Sequence, residues 1–473
     1  MLATHNKLIS WCLFVCVVPS LLSCAHYRAA PLDLPTSLLN FNSGSLNDPQ
    51  LQQRLAALQS LDSVRLGQWN RAQLLVIASE RNPKVLMART QLQVADAVKK
   101  TASALPNPSV SLGADYNLSQ TAESPWLWSI STDWLLDMGL RRQLRMQSAD
   151  TNIQAVRLEY AESLWSVRVE LRTALLSYLM NSRRKQVLQE IQTYQEQLLQ
   201  LHRQRITQGE GTAREALQVE SELAHTRSTM ADTARLASQA HAQLASALGV
   251  PVSALQSQGF IWDDLLQITA VNEQQLVQLR EKALLSRVDL ERAVLDYQSR
   301  ELALQQSIRE QYPQFSIGPG YSWDHGVKKV SLGISLTLPI FNRNQGPIAE
   351  ALAARELAGQ KVMLVQSTIQ NEIDLAYQAY QESVQTLQQV VQQHNIAEQS
   401  LVQVQQMLAV GESEKIELMA SQLLVTTQRL AVLDAIEQMQ QSFGQLEDAL
   451  RTPLSGPEVA LNQRALLQVD SVH

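Results

Sequence analysis

The stretch Val330–Gly346, VSLGISLTLPIFNRNQG, joins two patterns that seldom meet in one chain. Val330, Leu332, Ile334, Leu336 and Leu338 alternate with Ser331, Gly333, Ser335 and Thr337, the period of a strand with one apolar and one polar face. Pro339 cannot donate to a ladder and ends the strand, and beyond Phe341 a polar segment reaches Gly346 and Pro347. Helical patterning then runs over 347–409, roughly 100 Å at 1.5 Å per residue. Pro339, Phe341 and Gly346 are therefore expected to turn the chain from strand to helix.

The same arrangement occurs earlier. Pro313-Gln-Phe-Ser-Ile-Gly318 repeats Pro108-Ser-Val-Ser-Leu-Gly113, and a second alternating run at 126–136 puts Trp126, Trp128 and Trp134 on one face. The first unit spans 71–250: a helix broken at Asn82-Pro83, a β-hairpin over 108–136, a long helix over 139–206 and a return helix over 212–248. After a connector at 251–270, the second unit spans 271–452, with its hairpin at 314–338, long helix at 347–409 and return helix at 413–450. Residues 25–70 read as an extended arm with at most a short helix near 51–61, and 453–473 as a tail.

Residues 1–24 read as a lipoprotein signal: Lys7, an apolar run from Leu8 to Leu22, then Leu21-Leu22-Ser23-Cys24, which marks Cys24 for lipidation. No later run is apolar for the ~18 residues that a membrane helix needs. Cys12 and Cys16 fall within the segment that would be removed, so the mature chain has no thiol cluster. With 39 basic against 45 acidic residues and no basic block, nucleic acid is not an expected partner. The eight histidines lack ligand spacing, and no cofactor or metal site is expected.

Four strands with one apolar, aromatic-rich face fit a membrane barrel with a wet interior. Four strands cannot close, and open edges in lipid leave backbone groups unsatisfied at several kcal/mol each. The barrel must then be shared between copies; eight strands leave a filled interior, and about twelve leave a passage. Apolar residues flank the second long helix on two sides, as in a tube wall, whereas a periplasm-spanning coiled-coil lipoprotein without a pore would show a single seam. An acid–base pair of Asp115 and Asp133 is the enzymatic competitor; on polar strand faces these residues fit a wet lumen better, and no enzymatic activity is expected.

The chain resembles the TolC family of outer-membrane channels. The resemblance rests on Leu336-Thr-Leu-Pro-Ile-Phe341 leading into Asn342-Arg-Asn-Gln-Gly346, on Asn82-Pro83, Leu105-Pro-Asn-Pro108, Ser286-Arg287-Val288-Asp289-Leu290, and on Gly209 and Gly411. Val288 stands where the family often has proline. Asn342–Gly346 and Leu135–Arg142 look most like the cobalt-zinc-cadmium resistance branch. The resemblance implies a mainly α chain with a membrane β-barrel part, a homotrimer lipid-anchored in the bacterial outer membrane and reaching into the periplasm. It further implies a periplasmic adaptor, an inner-membrane pump of the resistance-nodulation-division type, and metal cations or drugs as cargo.

Gly209, Gly211, Gly411 and Ser413 would form the tip that meets the adaptor, although glycine also ends helices for its own reasons. Glu215 and Glu417 occupy equivalent repeat positions, and with Ile416 and Ala420 they are the candidate pore constriction. The competing reading makes Thr212-Ala-Arg-Glu215 a capping box.

Overall fold

A computed structural model of the chain describes residues 27–57, 68–118, 124–136, 140–256, 258–261, 263–269, 271–324 and 326–460. Cys24 lies outside them. The chain divides into two units, Met1–Gly44 and Ser45–His473. The first contains α1 (Leu34–Asn42), opened by Asp33, whose carboxylate accepts the Thr36 N–H at 3.4 Å.

In the second unit, α2 (Pro49–Ala57) precedes β1 (Gln68–Trp69), α3 (Arg71–Arg81), α4 (Pro83–Ser103), β2 (Ser109–Tyr116) and β3 (Trp126–Leu136). Then come α5 (Arg141–Thr207), α6 (Ala213–Leu248), β4 (Gly259–Phe260), α7 (Glu273–Ser286), α8 (Val288–Arg309), β5 (Phe315–Asp324), β6 (Val327–Leu336), α9 (Gln345–Ala409) and α10 (Lys415–Leu450). The arm is thus more ordered than its composition suggests. Two helices stand where one was expected, and Gln68–Trp69 pairs in parallel with Gly259–Phe260 of the connector. That pairing is non-local, and no periodicity within either segment announces it.

Asn82 shows how one residue sets a bend. Its carboxamide oxygen caps α4 by accepting the Lys84 N–H at 2.8 Å, while its Nδ2 donates to Ala247 O at 2.8 Å. The kink of the first short helix is thereby fastened to the end of α6. There Gly249 (φ 69°) closes the helix so tightly that a Cβ would lie 2.4 Å from Arg81 O.

The helices form a wall with a different set of four at each end. Next to the sheet the order is α4-α5-α8-α9; far from it the order is α6-α5-α10-α9. Mid-length, α5 is enclosed on several sides, and Leu171, Leu175 and Leu179 are 0% exposed. Burial of each contributes about 1.5–3 kcal/mol relative to an exposed position. They join Trp69, Leu74, Ile77, Leu244 and Leu248 in the core of the first repeat. A separate core around Ile373, Tyr380, Met439, Phe443 and Leu446 holds the second.

The sheet is antiparallel throughout, in the order β2-β3-β5-β6, so the two hairpins join through β3 and β5 and leave β2 and β6 as its edges. The last strand starts at Val327, ahead of the expected Val330, because Lys328 and Lys329 enter the ladder opposite Trp323 and Ser322. The ladder ends at Leu336 opposite Phe315, and Thr337 N–H reaches Gln314 O at 3.4 Å. Leu338 therefore lies beyond the strand.

At the junction, Gly346 does not make the turn. The helix has already begun at Gln345, and the left-handed residue is Asn344 (φ 62°). Asparagine tolerates that region because its short polar side chain bonds locally; here Nδ2 donates to Ser307 O at 2.8 Å. The first repeat uses Leu140 (φ 55°) in the same place, followed by Arg142, whose Nε donates to Ser103 O at 2.7 Å. Pro339 lies in the irregular link and Phe341 is fully exposed.

Candidate functional site

Strand register sorts the middle of the sheet into two chemical surfaces, with Lys328 at one end of the apolar face and Leu127, Leu135 and Val327 at the ends of the polar one. Tyr116 lies opposite Trp126, Trp128 opposite Trp323, Ile130 opposite Tyr321, and Ile317 opposite Ile334, and residues that lie opposite share a face. This face is exposed and apolar: Leu112, Trp128, Ile130, Trp134, Val330, Leu332 and Ile334 are all solvent-accessible in the single chain. Trp126 stacks on Trp128 with ring centroids 5.3 Å apart.

The reverse face carries small and polar groups. Ser111 faces Ser131, and Ser131 faces Gly320, which faces Ser331. A Cβ on Gly113 would lie 2.6 Å from Ser129 Oγ, and one on Gly320 would lie 2.8 Å from Ser331 Oγ. Those hydroxyls can rotate away, but a Cβ on Gly318 would lie 2.8 Å from Thr132 O, a backbone atom that cannot. Asp115 and Asp133 are on this face, on rows far apart, which leaves them poorly placed for shared acid–base chemistry.

Below the sheet a concavity of about 1020 Å³ touches all four wall helices. Its charges balance: Arg145, Arg292 and Lys361 line it with Glu159, Asp289 and Asp296. Arg292 Nη2 meets Glu159 Oε1 at 2.6 Å.

At the opposite end, Gly209 and Gly411 both adopt φ 80°, with open space where a Cβ would go. Gly211 is different in kind: its Cβ would press on Arg205 Cβ and Ile206 N, each at 3.1 Å. The tips of the two helical pairs enclose a cleft of about 770 Å³ that brings together Gly411, Ser413, Glu215, Ile416, Glu417 and Ala420 with His202 and Arg205. Gly209 and Gly211 are not part of its lining.

Both glutamates also serve their own helices. Glu215 Oε2 accepts the Thr212 N–H at 3.5 Å and lies 3.6 Å from His202 Nδ1. Glu417 Oε2 accepts from Ser413 Oγ at 2.7 Å. Arg205 bridges the two tips to Glu414 at 3.4 Å. Among the described residues no group of His, Cys, Asp and Glu has a metal-holding arrangement.

One cluster has no signal in the sequence. Arg168 meets Glu447 at 3.0 Å and Glu458 at 2.7 Å, while Arg172 Nε lies 3.3 Å from Glu447. Arg172 also donates to both oxygens of Gln440 at 2.9 Å, and Gly444 leaves the space its guanidinium fills. Burial, with Arg71 and Arg168 nearby, lowers the Arg172 pKa to about 10 despite Glu447. Glu458 belongs to the segment read as a tail, and its partner Arg168 is 290 residues away.

The sequence matches the family described as "Outer membrane efflux protein" over residues 74–250 and 279–450. No curated protein matches the chain. Solved structures of the same fold include a membrane protein from Pseudomonas aeruginosa, with 18% identity and a TM-score of 0.66 over 90% of this chain and 99% of that one. The outer membrane protein VceC from Vibrio cholerae gives 15% and 0.64 over 85% and 97% of the two chains. The CmeC outer membrane channel from Campylobacter jejuni gives 12% and 0.66 over 94% and 98%.

Proposed function

We infer, since this chain belongs to the outer membrane efflux protein family, that three copies close into one passive duct running from a periplasmic tip through the outer membrane. The observation that carries this is the pair of unlike edges. One side of each chain ends in β2, α4 and α6, and the other in β6 and α9. Unlike edges pair head to tail, and such contacts close into a ring when the rotation between copies closes, as a sheet without free edges in lipid requires. Exposed Leu86, Met87 and Val94 on α4, and Leu357, Met363 and Leu375 on α9, supply apolar surface for that contact. The number three follows the family resemblance and gives twelve strands, enough for an open interior.

The apolar sheet face then meets lipid and the Ser/Gly face the lumen, with lipid on Cys24 as a second attachment. No catalysis is assigned. The tip residues Gly209, Gly211, Gly411 and Ser413 present the surface for a periplasmic adaptor, which links the duct to an inner-membrane pump of the resistance-nodulation-division type. Glu215, Ile416, Glu417 and Ala420 surround the opening. Metal cations or drugs are the cargo that the family resemblance implies.

Purification from outer membranes tests the assembly. A trimer that shifts on heating and conducts in a planar bilayer is the expected result; a monomer without conductance defeats the reading. Bulky substitutions at Gly209 and Gly411 should abolish adaptor crosslinking while trimers persist.

A further inference from the structure

We propose that Asp133, seconded by Asp115, makes the barrel itself prefer cations, independently of the carboxylates at the periplasmic tip. This rests on the trimeric-barrel reading above.

The argument begins with the ionic groups on the polar sheet face. By register these are Asp115, Asp133, Asp324 and Lys329, and Lys329 is paired with Asp324. Three carboxylates thus stand against one ammonium on this face, a net of two negative charges per copy, and among the described residues Asp133, on the inner strand β3, has no basic partner. The neighbours of Asp133 are small. Ser109 lies opposite it on β2; on the other side is Gly318, whose Cβ would be 3.8 Å from Asp133 Oδ1, and beyond Gly318 lies Gly333. No long side chain covers the carboxylate.

Asp115 lies in the row of Leu127, six residues along β3 from Asp133, so the two rows are roughly 20 Å apart. That exceeds the ~10 Å Debye length at 0.1 M salt, and each row acts separately. A fixed negative ring in a pore raises the local cation concentration without holding an ion.

The test is a reversal potential across a planar bilayer in asymmetric KCl near 0.1 M. Asp133→Asn should lower the potassium-to-chloride permeability ratio about twofold or more. Ser109→Lys, which places an ammonium opposite Asp133 by register, should shift it in the same direction. Both effects should fade near 1 M salt, where screening is far shorter. An unchanged ratio in both variants, with normal wild-type conductance, overturns the inference alone. Absence of any wild-type conductance removes the channel reading and this inference together.

Discussion

Arg168 and Glu458 are 290 residues apart in sequence and 2.7 Å apart in the fold, and both side chains are at least 96% buried. This pair and Glu447 bind the middle of the first long helix to the end of the last helix and to the segment after it. Glu447 also accepts the Leu454 N–H at 2.7 Å, so the strap is held at both ends. Removing Arg168 leaves Glu458 without its cation, and Glu447 with Arg172 alone, in a low-dielectric site.

Arg168→Ala should therefore destabilise the protein by about 3–5 kcal/mol, the range for breaking a buried ion pair. Glu458→Gln, which keeps a hydrogen-bonding shape, should cost less. Thermal or denaturant unfolding of purified protein checks both, and equal effects from the two would contradict the ionic account.

Gly249→Ala should be nearly as damaging for a different reason. Its φ of 69° disfavours an alanine, and the added carbon would lie 2.4 Å from Arg81 O and 2.8 Å from Asn82 Cα. Backbone atoms cannot retreat as a flexible side chain can, so a loss of more than about 2 kcal/mol is expected. Gly209→Ala meets only the φ penalty, about 1 kcal/mol. Comparing the two by unfolding separates contact from conformation.

Arg287 and Asp289 give a pH dependence. Burial alone would raise the Asp289 pKa, but the hydrogen bond and charge of Arg287 outweigh it and hold the carboxyl below its ordinary value. A pKa lowered by folding contributes stability above the unfolded value near 3.9, and that contribution is lost as pH falls through the folded value. Asp289→Asn should thus be less stable than wild type at neutral pH, and the gap should narrow below about pH 4. A gap independent of pH would show that Asp289 acts through packing instead.

Arg205 and Glu414 join the two tips in the open, with the glutamate side chain 68% exposed. Such a pair contributes at most about 1 kcal/mol. Glu414→Gln should leave the melting temperature within about 2 °C while raising conductance if the pair holds the tip closed. Glu417→Gln should lower cation preference if its carboxylate faces the opening; unchanged conductance and selectivity would leave Glu417 only its bond to Ser413.

Much of the architecture is legible in the chain because its signals are local. Period-two alternation at 330–338 and 126–136, helical periodicity over 139–206 and 347–409, and matched punctuation at Gly209 and Gly411 are each read within one segment of the sequence. The failures are where local signals compete or vanish. Gly346 looks like the turning residue, yet Asn344 turns the chain because the backbone of α8 offers its side chain a carbonyl. Lys328 and Lys329 hide the start of β6, although Lys329 is accommodated by Asp324 on the polar face.

By itself the sequence determined the duplicated unit, the two-faced strands and the long helices, since each follows from periodicity. Only the tertiary structure decided which strands are neighbours, which edges remain open, that Glu458 is buried beside Arg168, and that Asp133 stands among glycines. These are relations between segments hundreds of residues apart, and no pattern within a segment encodes the distance to another. Packing and strand register fix them.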